Sequence, residues 1–322
     1  MKKTAAHRSQ DSGVALLVCL MLILLLAVLV HRFTFTSRVQ VAAAGNLRDQ
    51  FQAECMALSG LEAALAVLAT DDTPEVDHLG EAWAQFRGSP DMASLEAEEG
   101  GFLVWIQDEN SKIEVNRIVR QDGATTDMFI RRQLDRLLEL FGVSSELRDS
   151  LLDCLEDWID SDDLQKLNGA EDQYYMSLER PYQAANRPLR TLGELYLIKG
   201  WPQILELKLQ DGARITDFLT VSPTGGRINV NTAPGLVLQS LSPEIDESTA
   251  LQVMSLREEA PLAGPQLLPP PFRRGGVSTH LQFSGTLFLV RSQGVFRRAS
   301  SNALMLVARV DEEWKVLARR IE

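Results

Sequence analysis

Ser12-Gly13-Val14-Ala-Leu-Leu-Val-Cys-Leu-Met-Leu-Ile-Leu-Leu-Leu-Ala-Val-Leu-Val30 decides how the rest of this chain is read. A polar leader carrying Lys2, Lys3 and Arg8 runs into a glycine, and an apolar segment without charge or proline starts at the next residue. At about 1.5 Å per residue, positions 14–30 span roughly 26 Å, close to the hydrocarbon thickness of a bilayer. An ordinary secretory signal has a shorter apolar core with a small-x-small cleavage site beyond it. Here the chain continues through His31, Arg32, Phe33 and Phe35, so the natural processing point lies ahead of the apolar run, between Gly13 and Val14. A chain cut there begins with its own membrane helix. The leader's cations outnumber its one acid, Asp11, which predicts a cytoplasmic N-terminus with everything after residue 32 on the far side.

Helical patterning continues past the charges. Ala42, Leu47, Phe51, Cys55, Leu58, Leu61, Leu65 and Leu68 recur at three- and four-residue steps, with Arg48, Asp49, Gln52 and Glu62 on other faces. Gly45 and Gly60 weaken this helix without ending it, and Asp71-Asp72-Thr73-Pro74 stops it. The expectation is one long rod, half in lipid and half packed on a folded body.

With 322 residues, 45% of them hydrophobic, there is room for that anchor and one or two domains. A net charge of −12 disfavours nucleic acid, whose phosphates demand clustered Lys and Arg, and suits divalent cations or basic partners. Cys19, Cys55 and Cys154 make no disulfide framework; a Cys55–Cys154 bridge has no support from spacing, and both read as small apolar residues.

Beyond the rod, Gly101 to Gln107 reads as a strand and Asp108 to Lys112 as a turn. Asp127 to Asp160 is helical with a break at Gly142. Strand character returns at Gln282–Ser292 and Ala303–Val310, with Trp314–Arg319 as a third strand. A small sheet is thus interrupted by a largely helical insertion. Within the insertion, Lys112-Ile-Glu-Val-Asn-Arg-Ile118 matches Arg227-Ile-Asn-Val-Asn-Thr-Ala233, and a leucine-rich helical pattern follows each. Two related helical modules follow from that repeat. Paired modules of this SAM/HhH-like look also occur in DNA-binding proteins, a use that the acidic surface argues against.

Chemistry concentrates in one acidic segment: Asp157-Trp-Ile-Asp160-Ser-Asp162-Asp163, then Asn168-Gly169-Ala-Glu171-Asp172. Crowded carboxylates repel unless they are solvated or neutralised, and a hard cation taking six to eight oxygens resolves the repulsion. Asp160, Asp162, Asn168 and Glu171 fall in part of an EF-hand register, but Leu164 sits where a ligand belongs and Gln165 where glycine belongs. A calcium site and a solvated loop of helix-capping aspartates both fit this spacing. The metalloprotease, nucleophile-elbow and phosphate-loop motifs of enzymes are absent, and the four histidines are scattered.

The Gly13–Val14 junction and its rod resemble type IV prepilin-like proteins. The body resembles the K-type minor pseudopilins of type II secretion, in Ala57-Leu-Ser-Gly-Leu-Glu-Ala63, Lys112-Ile-Glu-Val-Asn116, Asp157-Trp-Ile-Asp160, Gly169-Ala-Glu-Asp172, Asn186-Arg-Pro-Leu189 with Glu194-Leu195, and Ile228-Asn-Val-Asn-Thr-Ala-Pro234. This resemblance implies an α+β fold: a pilin-like N-terminal helix on a small antiparallel sheet, with a large helical domain inserted. It divides the chain into a cleaved leader (1–13), the transmembrane half of the rod (14–32), the periplasmic half and first part of the pilin-like body (33–119), the inserted domain (120–280, in modules 120–222 and 223–280) and the closing strands (281–322). Prepilin peptidase would cut after Gly13 and methylate Val14. Calcium would be held by Asp160, Asp162, Asp163, Glu171 and Asp172. Pilin-like subunits usually carry glutamate at the fifth mature position, which here is Val18. A carboxylate at that depth needs a cationic partner, and a subunit assembled first has no earlier N-terminal amine to pair. The resemblance therefore implies a non-enzymatic subunit of the inner membrane and periplasmic filament. It would sit at the tip, with the I, J and H minor pseudopilins and the major pseudopilin as partners, and a secretin or secreted substrate at its exposed end. A minor pilin of a type IV pilus or competence system is the alternative.

Overall fold

A computed structural model describes residues 8–85, 100–311 and 313–322, with side chains from Val14 onward. The leader, residues 1–13, falls outside the described residues as far as position 7 and outside the described side chains from 8 to 13, Gly13 included.

The rod is helix α1, Arg8–Ala69, 62 residues long and so about 93 Å from end to end. A short α2 (Ala82–Gln85) and strand β1 (Gly101–Asp108) follow. The helical body runs through β2 (Ile113–Glu114), α3 (Met128–Leu140), α4 (Ser145–Ile159), α5 (Asp172–Tyr175), α6 (Trp201–Leu205) and β3 (Leu219–Thr220). It continues with β4 (Ile228–Asn229), α7 (Gly235–Ser240), α8 (Glu247–Glu259), α9 (Gly275–Ser278) and β5 (Leu281–Gln282). Three long strands close the chain: β6 (Leu287–Phe296), β7 (Ala299–Val310) and β8 (Glu313–Ile321).

Strands β1, β6, β7 and β8 form an antiparallel sheet in that order. Its Val104, Ile106, Phe288, Val290, Ala303, Met305 and Val307 meet the C-terminal third of α1 in one core. The buried face of α1 is Ala53, Ala57, Leu61, Ala64 and Leu68, each at most 1% exposed. Leu47 and Phe51, expected on that face, stand out in solvent. Small residues win the contact because the backbones meet closely: a β-carbon on Gly294 would run into the Ala53 carbonyl oxygen and the Ala57 nitrogen. Likewise Gly60 leaves no room for one beside the Ser292 hydroxyl.

Arg309 on β7 anchors the chain that leaves the rod. Its guanidinium takes both carboxylate oxygens of buried Asp77 at 2.9 Å, Asp71 at 2.6 Å and the Pro74 carbonyl at 2.7 Å, and lies 4.6 Å from the Trp314 ring centroid. Such a bidentate, multiply bonded ion pair fixes geometry as well as charge.

A second core holds the helical body, from Ile113 to Leu281. Ile113, Val115, Ile118 and Val119 belong to it, which corrects the boundary expected at 119/120: the insertion's core begins just after β1. The strand expected from Gln282 is corrected as well. Gln282 pairs with Asn229 inside the helical body, and the sheet strand starts at Leu287.

The internal repeat is a structural one. β2 pairs in parallel with β3, and β4 in parallel with β5, so each module closes on itself through a two-residue ladder. Asn116 grips Leu189 by both backbone groups, accepting from its nitrogen at 2.7 Å and donating to its carbonyl at 3.0 Å, with Val221 oxygen at 3.2 Å. Asn231 does the same to Leu262, at 2.9 Å for each, with Phe283 oxygen at 3.1 Å. Leu189 and Leu262 each follow a proline and precede, by the same spacing, a buried leucine, Leu195 and Leu268.

Candidate functional site

Two regions carry the functional questions: the uncovered half of the rod, and the acidic segment of the first module.

Within α1 lies the one stretch among the described residues that is long and apolar enough to cross a membrane, with a mean hydropathy of 3.1 and none of its window buried. Val14 and Val18 are exposed on it, at 65% and 49%. Apolar exposure continues beyond the span through Phe33, Phe35, Val39, Val41, Leu47 and Phe51. The apolar span demands lipid, neighbouring helices, or both in turn, and the apolar side chains beyond it are interspersed with Arg32, Arg38 and Arg48.

The acidic segment lies between α4 and α5. Asp127 caps α3 by accepting from Phe129 and Ile130 nitrogens, and α4 presents its Asp153, Glu156 and Asp157 to the loop that follows. Arg131 pairs with Asp153 and Glu156, which disposes of part of the charge. Asp157 accepts the Lys166 nitrogen on both oxygens at 3.2 Å, and Gly169 packs so closely against it that a β-carbon would collide with the carboxylate.

The expected ligands divide. Asp160, Asp163 and Glu171 come together electrostatically with Asp157 and Asp172. Burial first, then the carboxylates of Asp157, Asp160, Asp163 and Asp172, push Glu171 up to about 8. Both Glu171 oxygens are buried without a hydrogen-bond partner, and so are one oxygen of Asp160 and the amide oxygen of Asn186. Burial, with help from Asp162 and Asp157 against the pull of Lys166, raises Asp160 to about 6. Two expected ligands have other work. Asp172 ties down Ala184 nitrogen at 2.7 Å and Gln183 at 3.1 Å, while Asp162 accepts from the Leu164 nitrogen at 2.8 Å. Asn186 escaped sequence reasoning because it lies beyond the acidic run. Its backbone sits at φ 45°, and its amide reaches Asp163 at 3.0 Å.

Buried oxygens without partners are the chemistry a hard cation satisfies. Asp160, Glu171 and Asn186 supply such oxygens, so a hard cation here would be held by them, with Asp163 and Asp157 alongside. Asp71, Asp77 and Glu81 bring ligand atoms within 4.8 Å of one another, but Arg309 already pairs with Asp71 and Asp77, and Glu81 accepts from the His78 nitrogen and Trp83.

Cys154 is buried and Cys55 half-buried, and neither is in a disulfide. Burial raises the Cys154 thiol to about 11, so it is inert core.

A rod half exposed and half packed on an antiparallel sheet, with a helical body inserted before the sheet is completed, defines a pilin-like assembly subunit. Comparison with known proteins narrows this class. The family model described as "Type II secretion system (T2SS), protein K" matches residues 111–211. Type II secretion system protein K of Pseudomonas aeruginosa is 34% identical over 260 residues, covering 78% of this chain and 73% of its own. The Klebsiella pneumoniae protein of the same name is 30% identical over 207 residues, covering 63% and 61%. In fold, the chain is similar to one in the crystal structure of the GspK-GspI-GspJ complex from the type 2 secretion system of enterotoxigenic Escherichia coli. That likeness has a TM-score of 0.62 at 20% identity and covers 89% of this chain and 99% of that one. The chain belongs to the type II secretion system protein K family. The pilus and competence alternative is not favoured, since the relatives matched carry type II secretion names.

Proposed function

We propose that this chain is a non-enzymatic minor pseudopilin that stands at the tip of the type II secretion pseudopilus and helps to start its assembly. One observation carries the reading: the rod is largely uncovered from Val14 to Leu47, while a body with its own core, Ile113 to Leu281, is inserted into the sheet-bearing half. The bare half is free to pack against partner rods by close van der Waals contact in the membrane. The inserted body is too bulky for the interior of a tight filament and suits its end.

Val18 supports the same place. No carboxylate is needed at that depth if no earlier subunit's amine waits there. Prepilin peptidase would cut between Gly13 and Val14 and methylate Val14. Before extraction the subunit would sit in the inner membrane in a single pass, N-terminus in the cytoplasm. In the solved complex that contains the similar fold, GspK is assembled with GspI and GspJ. Counterparts of those two are the partners proposed here, with the H type and the major pseudopilin below them. Calcium bound at Asp160, Asp163, Glu171 and Asn186 would neutralise the acidic loop and fix it.

Deleting the gene and measuring protein export beside pilus-dependent motility tests the reading. Export should fail with motility intact; normal export would sink it.

A further inference from the structure

The acidic loop carries a cation of its own. Lys166 Nζ stands 3.5 Å from Glu156 and 3.6 Å from Asp160. Those two carboxylates differ in what else they hold. Glu156 also pairs with Arg131 and accepts from the Thr126 hydroxyl. Asp160 is buried and has no other ion pair among the described residues. The ammonium reaches only its Oδ2, while Oδ1 is buried without a partner. Lys166 forms no ion pair with Glu171, whose two oxygens are also buried and bare.

This is not the loose reach of a surface lysine. Its backbone nitrogen donates to both oxygens of buried Asp157, and its carbonyl accepts from the Gly169 nitrogen at 3.1 Å. Residue 166 is thereby brought back over the C-terminal end of α4, where Glu156 and Asp160 lie four residues apart. The side chain is still 27% exposed, so its flexible stem has a way out to water. A divalent cation on Asp160 Oδ1 and Glu171 would share one carboxylate with this ammonium. Two positive charges a few ångström apart in a half-buried site repel strongly, and the tethered, partly exposed one is free to move.

We propose that Lys166 is a tethered counter-ion that competes with calcium for Asp160 and so sets how much calcium the loop requires. Without calcium the ammonium holds Asp160 and draws the loop onto the end of α4. Calcium takes the carboxylate and releases the ammonium into water. Lys166 has this role only if the acidic loop holds calcium, as proposed above, and it adds a threshold to that site. A loop already partly neutralised responds only where calcium is abundant enough to displace its own cation.

Two measurements on the full chain in detergent test it. In calorimetric titration with calcium, Lys166→Met should bind about tenfold more tightly than the parent, or better, because the competing charge is gone. Lys166→Arg keeps the charge and should keep the parent's weaker binding. A lysine that only held the fold together would act in the opposite sense, since its loss would loosen the ligands and weaken binding. The second readout is acylation of the Lys166 amine, located by mass spectrometry. It should be slow without calcium and quicken at saturating calcium, while exposed Lys208 reacts alike in both. This arm uses the unaltered chain, so it decides even if the methionine variant is unstable. Equal or weaker calcium binding by Lys166→Met, or acylation of Lys166 indifferent to calcium, would overturn the role of Lys166 and leave calcium at the loop. No calcium binding by any of the three forms would overturn the calcium reading and the role of Lys166 with it.

Discussion

Asn229 donates its side-chain amide to Asp108 at 2.9 Å and to the Asp77 carbonyl at 3.2 Å. One residue of the second module thereby joins the last residue of β1 to the segment that leaves the rod. Its counterpart in the first module is Glu114, which turns the other way and accepts from Thr224 and from Gly226 nitrogen. The repeat has been kept for folding at its asparagine positions and reassigned at this one to hold the two bodies together.

Asn229→Ala should therefore cost about 2 kcal/mol, and more at pH 8 than at pH 5. Burial raises Asp108 to about 6 even with Thr232, Asn229 and Asn110 donating to it. Without Asn229 the carboxylate is left short of a donor where it is ionised, above that value, and is relieved by protonation below it. Chemical denaturation at the two pH values measures the difference; equal losses would refute the assignment.

Asn116→Ala and Asn231→Ala should each lose about 2 kcal/mol, because each frees the backbone nitrogen and carbonyl of a leucine inside a core. The two losses should agree within a factor of two, read by denaturation of the body. A large loss for one and none for the other would break the equivalence of the modules.

Gly294→Val should cost about 3 kcal/mol. The branched side chain has nowhere to go but into the α1 backbone at Ala53 and Ala57, so the rod must lift. Accelerated proteolysis within 53–68, with the helical body still folded, is the expected signature.

The ion-free body should lose stability as pH rises. Glu171 titrates at about 8 when folded against an ordinary 4.5, so its protonated form is the one folding favours. Its contribution is complete below about 4.5 and is lost as pH climbs through 8. Calcium should reverse the trend, raising the midpoint at pH 8 and leaving pH 5 nearly unmoved. Glu171→Gln should lessen the loss between pH 6 and pH 8, leaving the part due to Asp160 and Asp108, and abolish the calcium shift. Thermal melts with chelator and with millimolar calcium decide it; no shift at pH 8 would return the loop to a solvated acidic turn.

The rod, its end near Ala69, the break at Gly142 and the closing strands were legible because each is written in local periodicity and in glycine or proline punctuation. The face that the rod buries was not. Leucine spacing favours Leu47 and Phe51, but contact is decided by the close approach of two backbones at Gly294 and Ala57, which only the paired structure reveals. The repeat was visible as Ile-x-Val-Asn, whereas what the second Asn does, gripping a Pro-Leu backbone far along the chain, depends on pairing between distant segments. In the acidic loop, composition pointed to the neighbourhood but could not separate Glu171, with both oxygens unpaired, from Asp172, whose oxygens are occupied.

Asp108 ends β1 opposite Phe288 on β6, and these strands are neighbours in the sheet. Seen from the sheet, the whole helical body is the loop of a β-hairpin, leaving and returning at adjacent points. Its size can change without disturbing the four-stranded sheet, and a push delivered along the rod reaches it by two routes, the two-stranded stem and the Asp77 segment that Asn229 and Phe283 hold.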